Sequence, residues 1–97
     1  MNEAIEVVIF KAKTGVTDSQ LQAAASAITP ILSTMPGFIR RDLGESEGGD
    51  YMDVIHWQDL AAAEAAAEKV MTIPQCVAFF DLIDQSQMQF MHFTKIV

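Results

Sequence analysis

The hydrophobic pattern changes period several times along the chain. Over residues 3–13 the apolar positions Ile5, Val7, Val8, Ile9 and Phe10 occupy both faces of a pleat rather than alternating with polar ones. That is the pattern of a central strand buried on both sides. Thr14-Gly15-Val16 reads as the turn out of it. From residue 17 the period lengthens, and Leu21, Ala24, Ala25, Ile28 and Leu32 form one helical stripe. Thr17 or Asp18 can cap this helix, and Thr17 with Gln20 three places on fits a capping box. Pro30 falls inside the stripe and removes the hydrogen bond to the Ser26 carbonyl, which predicts a kink or a break. Met35-Pro36-Gly37 stops the helix.

Residues 38–43 and 51–57 read as two strands around a polar, glycine-containing loop at 44–50, a hairpin signal. Asp59 is a good N-cap for an alanine-rich helix over 60–71, with Glu64 and Glu68 marking its wet face. Thr72-Ile73-Pro74 interrupts it. A short helix is expected from about residue 74 to 84, because proline suits a first turn. A linker at 85–87 leads to a last strand over 88–96, with Met88, Phe90, His92 and Thr94 on one face and Gln89, Met91 and Phe93 on the other.

The resulting order, β-α-β-β-α-(α)-β, is the ferredoxin-like signature. It predicts an α+β domain over residues 1–97, with antiparallel strands in the order 4-1-3-2 and both long helices on one sheet face. The other face would then be bare. Pairs such as Val8-Ile9 and Phe90-Met91 put large apolar side chains on both sides of the sheet, more than a soluble monomer usually exposes. A second copy, packed sheet on sheet as a two-fold homodimer, is the expected cover.

Composition narrows the function classes. A net charge of −7 with only six scattered Lys and Arg argues against nucleic acid and against an anionic membrane surface. No apolar run reaches transmembrane length. The acidic start Met1-Asn2-Glu3 lacks the basic opening of a signal peptide, so a cytoplasmic location is expected. Cys76 is the single cysteine, which excludes an intrachain disulfide and a thiolate metal cluster. Neither a phosphate loop, a metal-ligand spacing nor a nucleophile elbow is present, so neither metal nor cofactor is expected.

Met35-Pro36-Gly37-Phe38, the glycine-containing hairpin, the strand ending Ile55-His56-Trp57-Gln58-Asp59, the alanine-rich helix and Ile73-Pro74 together resemble the antibiotic biosynthesis monooxygenase-like proteins of the dimeric α+β barrel superfamily. The resemblance covers nearly the whole chain. It implies a pocket between helices and sheet in each protomer, with Trp57 facing the helices. Haem-degrading members combine an Asn on the first strand, a Trp ending the third strand and a His late in the second helix. Only Trp57 matches: the first strand has no Asn, and the place of the His holds Val70 or a neighbour. Haem degradation is therefore not expected. Members that oxidise polycyclic aromatic substrates without a cofactor are the model that remains. The resemblance implies a small aromatic or polyketide-like ligand, with a non-catalytic binding or stress-response module as the alternative.

The candidate chemistry is sparse. His56 and His92 are the only side chains whose ordinary charge change falls near neutral pH, and either could be a catalytic base. Each could equally be a strand histidine bonded to a carboxylate or the backbone. Their strands flank the first strand, so equivalent positions lie about 10 Å apart, too far for one metal ion. Trp57, Ile55, Asp53 and Tyr51 share one strand face, and His56 points the other way with Val54 and Met52. Trp57, Tyr51 and Asp53 are thus the candidate substrate-binding residues. This assignment leaves the pocket face without a histidine and turns His56 toward the dimer. Asp53, if buried, needs a cation, and Arg40 or Arg41 on the neighbouring strand can supply it. Cys76 is a buried small hydrophobe or a thiol at a helix start.

Overall fold

The N-terminal apolar run forms β1 (Ala4–Phe10), which lies between β3 (Tyr51–Trp57) and β4 (Gln89–Thr94). With β2 (Phe38–Glu45) outside β3, the sheet order is β2-β3-β1-β4 and every pairing is antiparallel. This computed structural model describes residues 2–97. The helices are α1 (Asp18–Ser33), α2 (Leu60–Val70) and α3 (Pro74–Phe80), and a single 3₁₀ turn (Gln85–Gln87) precedes β4.

The capping box of α1 is formed in full: Thr17 Oγ1 accepts from the Gln20 amide at 3.1 Å, and the Thr17 amide donates to Gln20 Oε1 at 2.8 Å. Leu21, Ala25, Ile28 and Leu32 are buried. Pro30 neither ends nor divides this helix, which runs on to Ser33. Proline and Ser26 are both exposed, so the ring meets no neighbouring element and water can reach the freed carbonyl. Burial of Ile28 and Leu32 on either side of Pro30 holds the last turn down. Asp59 caps α2, its carboxylate accepting from the Ala62 amide at 2.8 Å.

Several boundaries differ from the sequence reading, beginning with β1, which ends at Phe10 rather than residue 13. β2 runs on to Glu45, because the hairpin closes tightly through the Ser46 amide on the Asp50 carbonyl at 2.8 Å. α3 stops at Phe80 because the chain then turns back to β1: Lys13 N donates to Leu82 O, Asp84 N donates to Lys11 O, and Ala12 bridges Ile83. β4 ends at Thr94 rather than residue 96.

A bulge in β2 matters for the site. Phe38 pairs with Trp57 and Arg40 with His56, so Ile39 is an extra residue in the ladder. Without it Phe38 and Arg41, three apart, would point to opposite faces. With it both point toward the helices. Phe38 packs edge-on against Trp57 with ring centroids 5.7 Å apart.

The core fills the space between sheet and helices. Phe10 stacks on Tyr51 and meets Phe79 edge-on, at centroid distances of 5.4 and 6.0 Å. On the opposite sheet face Ile5, Val7 and Ile9 of β1 are only half-buried, and Met52, Met91 and Phe93 beside them are exposed.

Candidate functional site

A cavity of about 370 Å³ opens between the sheet and the helices. Its floor is Glu6 and Val8 of β1 with Asp53, Ile55 and Trp57 of β3. Ile28 and Leu32 of α1 and Ala66 and Val70 of α2 form its roof. Phe80, Met88 and Phe90 stand toward β4, where Phe90 is 47 % exposed. The small alanine side chains of α2 leave room that larger residues would fill. The walls are apolar except for a few groups on the sheet floor and Gln85 of the 3₁₀ turn, which is the usual make-up of a small-molecule site.

Asp53 is buried and fully paired. Arg41 donates to it from Nε at 2.9 Å and from Nη2 at 2.6 Å, a bidentate geometry. Arg41 Nη1 donates to the Ala25 carbonyl at 2.6 Å and to Thr29 Oγ1 at 2.9 Å, and its guanidinium lies over the Phe79 ring. Of the two adjacent arginines it is Arg41 that turns inward. Arg40 stays on the open face, 3.7 Å from Asp42 and 3.3 Å from His56.

Trp57 lines the cavity and is 1 % exposed. Its indole N–H has no hydrogen-bond partner among the described residues. Buried donors are nearly always paired, so this one stands out.

Glu6 was not among the residues singled out from the sequence. It is 8 % exposed, and its carboxyl lies 3.2 Å from His92 Nε2 on β4. Burial pushes the Glu6 carboxyl above its ordinary pKa. The contact and charge of His92 offset part of that rise, Asp53 adds to it, and the nearby Trp57 N–H eases it slightly. One signal for Glu6 was present: it is the single charged residue within the apolar run from Ile5 to Phe10 of a central strand.

The histidines separate. His92 pairs across the ladder with Glu6, which itself faces Ile55, so all three side chains are on the helix side. The expectation that this face holds no histidine is therefore corrected. His92 sits edge-on to Phe90 with centroids 5.1 Å apart and is not itself part of the cavity lining. His56 points to the opposite face, where Nε2 meets Arg40. Since a guanidinium can only donate, that nitrogen accepts.

Tyr51 shares the β3 face with Trp57 but lies at the other end of the strand, outside the cavity lining. Its hydroxyl donates to Asp18 at the start of α1, and burial together with that carboxylate raises its pKa. Cys76 is fully buried, and burial raises its pKa as well. No group of three or more His, Cys, Asp or Glu side chains placed to hold a metal ion occurs among the described residues.

No family sequence model matches the chain, and no curated protein matches it by sequence. Solved structures do match. SnoaB of Streptomyces nogalater, a cofactor-independent oxygenase, superposes with a TM-score of 0.83 at 18 % identity over 100 % of this chain and 96 % of its own. A candidate antibiotic biosynthesis monooxygenase of Bordetella bronchiseptica gives 0.83 at 13 % identity, covering 100 % of both chains. A possible oxidoreductase of Bacteroides thetaiotaomicron gives 0.74 at 22 % identity over 97 % of this chain and 98 % of its own. The fold is that of the antibiotic biosynthesis monooxygenase-like proteins. Among the described residues no helix is long and apolar enough to cross a membrane.

Proposed function

We propose that this protein binds a small, flat, largely apolar molecule in the cavity between sheet and helices and oxidises it with dioxygen, without a bound cofactor. The observation that carries the reading is the cavity itself: about 370 Å³ of largely apolar wall with a few polar groups, most of them on its floor. Structural likeness to a cofactor-independent oxygenase supports the choice of chemistry. Oxidation of this kind begins with removal of a proton from the substrate. Asp53 is saturated by Arg41, which leaves the Glu6–His92 pair as the acceptor. Haem cleavage is not the proposal, because the cavity positions on the first strand are Glu6 and Val8 and the late α2 position is Val70.

The same reading includes a homodimer through the open sheet face. Met91, Val7 and Val54 lie in one row across β4, β1 and β3, next to the row of Phe93, Ile5 and His56. A continuous apolar strip of this kind favours a covering partner. Sedimentation at micromolar concentration is expected to give the dimer mass.

Oxygen uptake across a panel of mono- and polycyclic phenols tests the activity. Substrate-dependent consumption is expected for the wild type, with a loss of about a hundredfold or more in Glu6→Gln, the range of a removed general base. Tight binding with no oxygen consumption by any member would instead establish the non-catalytic binding module.

A further inference from the structure

The charged groups of the open sheet face come in opposite pairs. Arg40 and Asp42 of β2 lie 3.7 Å apart. Lys95 lies 3.6 Å from Glu3 just past the paired ends of β4 and β1, and Lys11 lies 3.1 Å from Asp50 at the far end of β1. Between these pairs run Ile5, Val7, Val54, Met91 and Phe93. With His56 neutral, each pair cancels and the face carries no net charge. The chain as a whole carries −7, so two copies repel each other over most of their surface. An apolar face whose charges cancel is where a second copy can sit without that repulsion.

His56 stands where one proton upsets that balance. It is half-buried, with Arg40 across the ladder on one side and Ile5 on the other, and Phe93 follows Ile5 in the same row. Its Nε2 lies 3.3 Å from Arg40 Nη2 and accepts from it. The charged groups on its side of the sheet are Arg40 and Asp42 of β2, with the Glu3–Lys95 pair past the ends of β1 and β4. Both carboxylates already have a cation beside them. Protonation turns Nε2 into a donor, sets N–H against N–H, and puts a second cation beside the guanidinium. In a lone protomer Arg40, whose side chain is 64 % exposed, can swing into water and the proton is tolerated. Under a covering sheet that escape is closed and the added charge loses its water.

We infer that His56 makes the association of two copies pH-dependent: the open faces pair while His56 is neutral and separate as its Nε2 takes a proton from water. The inference rests on the homodimer reading above. Each copy brings one His56, so up to two protons are taken up for each dimer that dissociates. By linkage the dissociation constant rises as pH falls through the histidine range, by at most about a hundredfold per pH unit. Overall charge acts in the opposite direction. Acid reduces the −7 and with it the repulsion between copies, so weaker association in acid cannot come from net charge.

Sedimentation equilibrium of the full chain between about pH 8 and about pH 5.5 reads the dissociation constant, and a rise of at least about tenfold toward acid is expected. His56→Gln keeps an acceptor for Arg40 but does not titrate, and is expected to flatten the response. His92→Gln alters the histidine on the cavity side and is expected to keep it. Dilution calorimetry of the wild type near about pH 6, in two buffers of different ionisation enthalpy, is expected to show proton uptake on dissociation. That measurement needs no variant to fold. A dimer whose dissociation constant stays flat or falls in acid would overturn the His56 switch and leave the homodimer standing. A response lost in His92→Gln and kept in His56→Gln would also overturn it. A monomer at every pH and at micromolar concentration would overturn the switch and the homodimer together.

Discussion

Arg41 on β2 and Asp53 on β3 form a bidentate ion pair whose side chains are 3 % and 7 % exposed. The pair does more than neutralise a buried carboxylate. Arg41 also bonds the Ala25 carbonyl and Thr29 of α1, so one guanidinium ties the outer hairpin strand, the third strand and the first helix together. It also removes Asp53 from cavity chemistry, leaving Glu6 as the carboxyl with spare capacity.

Breaking that pair from one side should be severe. Arg41→Met leaves Asp53 buried beside an apolar cavity, and a loss of about 3–5 kcal/mol is expected. Replacing both residues, Arg41→Met with Asp53→Leu, should recover much of it, since no uncompensated charge is left. Urea denaturation of the two single variants and the double variant gives the coupling energy. A double variant as unstable as the worse single variant would contradict this account.

Glu6 should make stability depend on pH in a defined direction. Its pKa is raised in the folded state from the ordinary 4.5, chiefly by burial. The folded protein therefore favours the protonated form, and ionising Glu6 costs stability. Its contribution is fully present below the unfolded value and is lost as pH rises through the folded one. Glu6→Gln should consequently gain stability relative to wild type as pH rises above 4.5, with the difference levelling off once Glu6 is ionised in both states. Denaturation midpoints measured from about pH 4 to about pH 8 for both proteins check this, and a flat difference would refute it.

Gly37 is needed for two reasons that act together. Its φ is +83°, and a Cβ placed there would lie 2.6 Å from the Ala62 Cβ at the start of α2. Its carbonyl also accepts from the Gln58 amide at 2.7 Å. Gly37→Ala should cost at least about 2 kcal/mol, combining left-handed strain with overpacking. Gly15→Ala has a similar φ of +91° and no neighbour within 4 Å, so it isolates the strain alone and should cost less. Thermal unfolding of the pair separates the two contributions.

Cys76 is predicted to be chemically silent in the folded protein. It is fully buried, and burial raises its pKa, so little thiolate forms and little reagent reaches it. A neutral disulfide reagent should label it at the rate of unfolding, and urea should accelerate labelling strongly. Rapid labelling of the native protein would count against this.

Element identity was legible in the chain because each segment carries a periodicity that one geometry satisfies. The stripe of Leu21, Ala25, Ile28 and Leu32, the Thr17–Gln20 box and the Asp59 cap are local, and they form as local rules require. The separation of His56 from Trp57 was also legible, since a strand has a side-chain period of two. Pro30 was harder to read. Its cost is fixed locally, but whether the helix survives depends on the burial of Ile28 and Leu32 around it.

The site depended on relations between strands, which no single strand encodes. The chain by itself determined the order of elements, the faces of β3 and the need of Asp53 for a cation. Register decided the rest. Antiparallel pairing set Glu6 opposite His92 and brought both onto the cavity side. The bulge at Ile39 rotated the start of β2 so that Phe38 meets Trp57. Tyr51 and Trp57 share a face in the sequence, yet the sheet places them at opposite ends and leaves only Trp57 in the cavity. Periodicity assigns a side chain to a face. Where it lies along that face, and what it meets there, is set by pairing between strands up to 86 residues apart in the chain.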